Sequence, residues 1–144
     1  GVEIFNRLIV AVGTDPQKQC MFSVEERVDM LRRTTEALSN LQVDVLSDKS
    51  LIQYVKMVSA QFILRGIRTE EDYEYERNIR NANDELDRDV TTVLLMPPRE
   101  IAEVSSSKVR TLIGTKDWER TLQSYVPQFV LEKLKEVRGT KRHP

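Results

Sequence analysis

Four short apolar runs, separated by stretches of helical periodicity, constrain this chain more than any other feature. Residues 7–12 (Arg-Leu-Ile-Val-Ala-Val), 42–46 (Gln-Val-Asp-Val-Leu), 61–64 (Gln-Phe-Ile-Leu) and 91–96 (Thr-Thr-Val-Leu-Leu-Met) each read as a strand. Turn residues follow the first, at Gly13-Thr14-Asp15-Pro16, and Pro97-Pro98 stop the fourth. Between them Ser23-Val24-Glu25-Glu26 has the form of a capping box, and Val24, Val28, Leu31 and Leu38 carry an amphipathic helix over 23–38. A short helix over 50–58 runs through Leu51, Tyr54, Val55 and Val58. A longer one over 69–86 has Thr69 and Asp72 as a cap pair, and Tyr75, Ile79, Ala82 and Leu86 as its expected core stripe. Residues 106–113 start a further helix, Pro127 opens a last one through Val137, and the tail 139–144 is expected to fray. Strands alternating with helices at this spacing predict an α/β fold, a parallel sheet with right-handed crossovers and helices on both faces, in a single domain over 1–138.

Composition limits the partners. Of 144 residues, 40% are hydrophobic and 31% charged, which suits a globular chain. The formal net charge of -1 argues against a general nucleic-acid binder, though basic loops can still hold a small anion. The apolar runs are too short for a membrane helix and no secretory signal is visible, so no membrane partner is expected. The one cysteine, Cys20, cannot close an internal disulfide, which fits a reduced, cytoplasmic setting. One histidine and one cysteine make no conventional zinc site.

Ligands of an open parallel sheet sit beyond the carboxyl ends of its strands. Three loops leave such ends: Gly13–Cys20, Arg65–Arg68 and Pro97–Ser107. Lys18 offers an ammonium, Arg65 and Arg68 offer planar donor forks, and Ser105, Ser106 and Ser107 offer hydroxyls at a helix start. Each also has a purely structural explanation. Arg65 can pair with a neighbouring carboxylate, Glu76 with Arg80 four residues on, and the serines can be only a cap. Asp72, Glu76 and Asn83 form roughly one helical stripe, and a polar stripe is usually a solvated face. Their coincidence on one rim points to a phosphorylated nucleotide. Neither a Walker A sequence nor a Gly-x-Gly-x-x-Gly loop is present, so the phosphate would be held by another device.

The blocks Met21-Phe22-Ser23-Val24-Glu25-Glu26-Arg27-Val28, Leu64-Arg65-Gly66-Ile67-Arg68, Asp72-Tyr73-Glu74-Tyr75-Glu76, Leu95-Met96-Pro97 and Val104-Ser105-Ser106-Ser107-Lys108-Val109-Arg110 carry a resemblance. Over Phe5 to about Val137 the chain resembles the phosphopantetheine adenylyltransferase family, nucleotidylyltransferases with a Rossmann-like fold. The resemblance implies transfer of the adenylyl group of ATP to 4'-phosphopantetheine, giving dephospho-CoA and pyrophosphate with the help of Mg2+. It implies a homo-oligomer, a hexamer, and feedback by CoA. Carried over by position, Lys18 and Arg65 would be the catalytic cations and would bind 4'-phosphopantetheine, with Leu51 and Asn83 lining its pocket. Gly66, Ile67, Arg68 and Glu76 would contact ATP, and Ile101, Ala102, Glu103, Val104, Ser105, Ser106 and Ser107 would wrap it. The acceptor phosphate is itself the nucleophile, so catalysis would consist of placing two anions and stabilising charge in flight.

The chain departs from this pattern at its start. The family opens with a strand, a loop bearing a Ser/Thr and a His-x-Gly-His-type motif, and a first helix, whereas this sequence opens near the family's second strand and has only His143. Three readings follow. The sequence is cut relative to the natural protein, which is the preferred one; or the piece comes from another chain; or the protein is a non-catalytic nucleotide- or CoA-binding relative. The missing strand would sit mid-sheet, so its absence from this chain is expected to expose edge N–H and C=O groups. Ile101 stands where the family usually has an aromatic, and Gln19-Cys20 where Lys-Pro is common.

Overall fold

The computed structural model describes residues 1–14, 20–46, 49–86 and 88–140. They belong to two compact units, Gly1–Ala102 and Glu103–Pro144.

The first unit runs β1 (Leu8–Val12), α1 (Val24–Thr35), β2 (Leu41–Val45), α2 (Leu51–Met57), β3 (Phe62–Gly66), α3 (Glu70–Leu86), β4 (Thr91–Leu95) and α4 (Arg99–Ala102). β1 pairs in parallel with β2, from Leu8 opposite Leu41 to Val12 opposite Val45. β3 pairs in parallel with β4, from Phe62 opposite Thr91 to Gly66 opposite Leu95. The two ladders are separate two-stranded sheets. A groove of about 710 Å³ runs between them, walled by Leu8–Ala11 of β1 and Phe62–Arg65 of β3. The chain steps from β1 outward to β2, then crosses to β3 and outward to β4. Its direction therefore reverses between β1 and β3, the switch point at which open α/β sheets bind ligands.

Neighbouring residues of β2 show that helices cover both faces. Val43 is buried with Val12 and with Val28 of α1. Asp44, pointing the other way, accepts a 2.7 Å hydrogen bond from the Tyr54 hydroxyl of α2. The second core cluster joins Ile52 and Val55 of α2 to Ile63 and Val90.

Local chemistry sets the helix starts. The Ser23 hydroxyl accepts from the Glu26 N–H at 3.2 Å while the Glu26 carboxylate accepts from the Ser23 N–H at 3.0 Å, the expected capping box. Ser50 and Gln53 make a second one at 3.3 and 3.0 Å, which went unread in the sequence. Thr69 accepts from the Asp72 N–H at 3.1 Å, as expected of the cap pair.

Two expected helix faces need correction. α1 ends at Thr35, and Leu38 lies beyond it in a turn, 38% exposed. In α3 the expected apolar stripe is not the buried one. Tyr75 is 60% and Leu86 66% exposed, Ala82 is exposed, and only Ile79 is half-buried. The inward face is instead Asp72, Glu76, Ile79 and Asn83, with Glu76 the one buried residue of the helix. The polar stripe of Asp72, Glu76 and Asn83 is thus turned to the protein rather than being a purely solvated face, and Glu76 is held there by a cationic partner on β3.

The second unit holds α5 (Ser106–Leu112), α6 (Trp118–Leu122) and α7 (Gln128–Thr140). Leu122 and Leu131 are fully buried, and Trp118 and Leu134 nearly so. Gly114 has φ +97°, and a Cβ there would meet the Arg138 guanidinium at 3.3 Å, so this turn needs glycine twice over. The same guanidinium lies 5.2 Å from the centre of the Trp118 ring. The short helices α4 and α6 were not read from the sequence, and α7 runs on through Gly139 and Thr140, which the sequence assigned to a frayed tail. Among the described residues no helix is long and apolar enough to cross a membrane.

Candidate functional site

The carboxyl end of β3 places Arg65 where its side chain meets the second turn of α3. Its Nε donates to Glu76 Oε2 at 2.7 Å. The Glu76 residue is 8% exposed, and a carboxylate so buried is tolerated only with a hydrogen-bonded counter-charge. Arg65 keeps about a third of its side chain exposed, and among the described residues its two Nη groups have no hydrogen-bond partner. The pair therefore fixes the guanidinium by one edge and leaves the other as a two-pronged donor suited to phosphate or carboxylate. Arg65 and Leu51, in the first turn of α2, both line the groove between β1 and β3. Asn83 follows Glu76 by two turns on the inward face of α3 and is half-buried.

Beyond Arg65 the backbone turns through Gly66, Ile67 and Arg68. Nothing lies within 4 Å of where a Gly66 Cβ would be, so the turn is open on that side. The Ile67 N–H donates to Leu95 at the end of β4 at 3.0 Å, tying the two strand ends together. Asp72 closes the turn. Its Oδ2 accepts from the Arg68 backbone N–H at 3.1 Å and from Arg68 Nε at 2.9 Å, and its Oδ1 accepts from Nη2 at 3.3 Å. Those bonds hold the Asp72 carboxyl below its ordinary pKa and push that of Arg68 up. The pairing expected of Glu76 with Arg80 does not form, because Arg80 binds Asp84 at 2.8 Å instead.

The end of β1 carries Gly13, whose carbonyl accepts from Arg27 Nη1 at 3.1 Å. Sequence reading quoted Arg27 only as part of a matching block. An arginine one turn into a helix whose N-cap closes the loop was the available signal for this tether. Lys18 lies outside the described residues, so its expected role stands as a proposal. Cys20 is a free, exposed thiol.

Ile101 and Ala102 lie on α4, at the end of the first unit, Ile101 exposed. In the second unit the Ser105 hydroxyl accepts from the Lys108 N–H at 3.1 Å and caps α5. Ser107 accepts from Arg110 Nη2 at 3.1 Å. Lys108 binds Glu103 at 2.7 Å and stands 5.3 Å over the Tyr125 ring. The hydrogen bond to Glu103 raises the Lys108 pKa and lowers that of Glu103. The Ser105 side chain thus has a capping role, while Ser106 is exposed at the first turn.

Residues 2–112 match the model of the cytidylyltransferase-like family. Among curated proteins, the chain is 51% identical to a phosphopantetheine adenylyltransferase of Chromobacterium violaceum over 133 residues, 92% of this chain and 81% of that protein. It is 48% identical to the enzyme of that name from Neisseria meningitidis, over 91% of this chain and 77% of the relative. With the one from Caldanaerobacter subterraneus it shares 35% over 94% of this chain and 82% of the relative.

Proposed function

Because this chain belongs to the phosphopantetheine adenylyltransferases of the cytidylyltransferase-like family, and so is a nucleotidyltransferase of coenzyme A synthesis, we propose that it transfers the adenylyl group of ATP to 4'-phosphopantetheine. A phosphate oxygen of the acceptor forms a bond to the α-phosphorus of ATP. The bond from that phosphorus to the bridging oxygen of the β-phosphate breaks, pyrophosphate leaves, and dephospho-CoA remains.

The observation that carries this reading is the Arg65 fork, held by buried Glu76 at the switch point and opening on the groove that also holds Leu51. Arg65 would grip the acceptor phosphate in two-pronged fashion, and Lys18 would join it, offsetting the repulsion between two phosphorylated substrates. Leu51 and Asn83 would line the pantetheine pocket. Gly66, Ile67 and Arg68 would receive ATP at the open turn, where a missing side chain lets a ligand approach the backbone, while Glu76 serves it through Arg65. Residues 101–107 would wrap the nucleotide. Magnesium would arrive with the triphosphate, since Mg2+ is ordinarily held by phosphates and water with one or two carboxylates. A cytoplasmic homohexamer belongs to the same reading and is checked by sedimentation.

Pyrophosphate release by the full natural protein, given ATP and 4'-phosphopantetheine, tests the proposal. Turnover with ATP and none with CTP is the expected result, and no turnover with either rejects it.

A further inference from the structure

Ion pairs on this chain differ in what they hold. Arg77 with Glu74 and Arg80 with Asp84 lie within α3 at spacings of three and four, where helix geometry already brings the partners together. Lys108 with Glu103 is of another kind. Its 2.7 Å contact reaches from the first turn of α5 back across Val104 and Ser105, which lie outside any helix. The pair therefore closes a short loop, and that loop is the segment 103–107 that the proposed function gives to the nucleotide.

Lys108 ties this loop at two positions. Its ammonium has two neighbours, the Glu103 carboxylate and the Tyr125 ring 5.3 Å away, and both favour the charged form. Its backbone N–H donates to Ser105 Oγ at 3.1 Å, and the Val109 N–H donates to the Ser105 carbonyl at 3.0 Å. The Lys108 side chain is 33% exposed and that of Glu103 82%, so the lysine is the fixed partner and Glu103 comes to it. The Ser107 hydroxyl is engaged by Arg110. Ser106, between these anchors, is exposed, and among the described residues its hydroxyl has no hydrogen-bond partner. The anchored loop thus holds out the Ser106 hydroxyl.

Charge separates two roles open to the lysine. A lysine that itself binds phosphate is held back by Glu103, a rival anion, and gains when that anion is removed. A lysine that shapes the loop needs Glu103 and loses with it. The Glu103 carboxylate cannot grip a triphosphate, because like charges repel. To reach a phosphate, Lys108 would give up both its ion pair and its ring contact.

We propose that Lys108 is a positioning residue for the nucleotide: clasped by Glu103, it holds residues 103–107 in the shape that presents Ser106, and it touches no phosphate itself. This role rests on the adenylyl-transfer reading and adds to it the part Glu103 plays, which is to hold the lysine. Exposed pairs hold their partners weakly, so the effect on affinity is moderate and the effect on overall stability is small.

Calorimetric titration of the full natural protein with ATP and, separately, with 4'-phosphopantetheine tests it. Glu103→Gln and Lys108→Gln are each expected to weaken ATP binding about three- to tenfold, the range of one such pair with its ring contact, while acceptor binding and the urea midpoint stay as they were. The double variant is expected to bind ATP no worse than either single one, since the second change removes a partner already lost. Lys108→Arg keeps the charge and the ring contact and should stay within about twofold of the unsubstituted protein. Tighter ATP binding by Glu103→Gln overturns the proposal and assigns Lys108 to the phosphates. Losses that multiply in the double variant overturn it too, as does ATP binding unchanged in both single variants. A urea midpoint that falls with both affinities overturns it by making the pair a general prop of the fold. Absence of ATP binding by the unsubstituted protein rejects the transfer reading itself, and that reference titration tells the two failures apart.

Discussion

Arg65 and Glu76 illustrate how one pair can serve structure and site together. Glu76 is too buried to stand alone, and Arg65 answers it with Nε only, which preserves the outward fork. Arg65→Lys keeps the charge but loses both the fork and the Nε bond. We expect the KM for 4'-phosphopantetheine to rise about tenfold to a hundredfold, the scale of one charge-assisted hydrogen bond, with the protein still folded by circular dichroism. Glu76→Gln leaves the guanidinium without its counter-charge and is expected to lower both kcat/KM and unfolding stability, the latter by about 1–3 kcal/mol in a urea titration. Tyr54 is a different case. Burial, followed by its hydrogen bond to Asp44, pushes its phenol up from 10.0 to about 12. A folded-state pKa above the unfolded value gives stability that is complete below pH 10 and is lost as pH rises toward 12. Tyr54→Phe should therefore flatten the alkaline limb of the stability profile in that window. At neutral pH it should cost about 1.5–3 kcal/mol, since Asp44 loses the bond that contributes most to its lowered pKa.

At the scale of elements, the strands and helix starts were legible because each carries its own local signal. The β-branched runs gave four strands within a residue or two, and Ser23 with Glu26 announced α1 by a bond that depends on spacing alone. Ser23→Ala should lower unfolding stability by about 1 kcal/mol, read as a shift in the urea midpoint at unchanged slope. The buried face of α3 was not legible, because helical periodicity identifies the apolar side and this helix turns its polar side inward. What decides the matter is a partner eleven residues earlier on another element, and no window within the helix contains it. Tyr75→Gln separates the two readings. On the observed face it should change stability by no more than about 0.5 kcal/mol, whereas a core position would cost several times that.

At the scale of the molecule, the order of the strands was implicit in the pattern and unpaired edges in mid-sheet were expected from the resemblance, while the coordinates show that β1 and β3 are the strands that border the gap. The site was legible as motifs because Arg-Gly-Ile-Arg and the serine block are contiguous in sequence. The tethers that hold it, Arg27 to Gly13 and Tyr54 to Asp44, join residues whose separation in the chain carries no signal. A site assembled this way should report its ligand through the stability of the whole protein, because any molecule that binds only the folded chain raises its unfolding free energy in proportion to ln(1 + [L]/Kd). If dephospho-CoA occupies the Arg65 site of the full natural protein, raising it to about a hundred times Kd should add about 2.7 kcal/mol, a rise of several degrees in the melting midpoint. Arg65→Lys should then require a proportionately higher concentration for the same rise, while Tyr75→Gln follows the unsubstituted curve. A rise unaffected by Arg65→Lys would place the ligand elsewhere on the protein, even with catalysis intact.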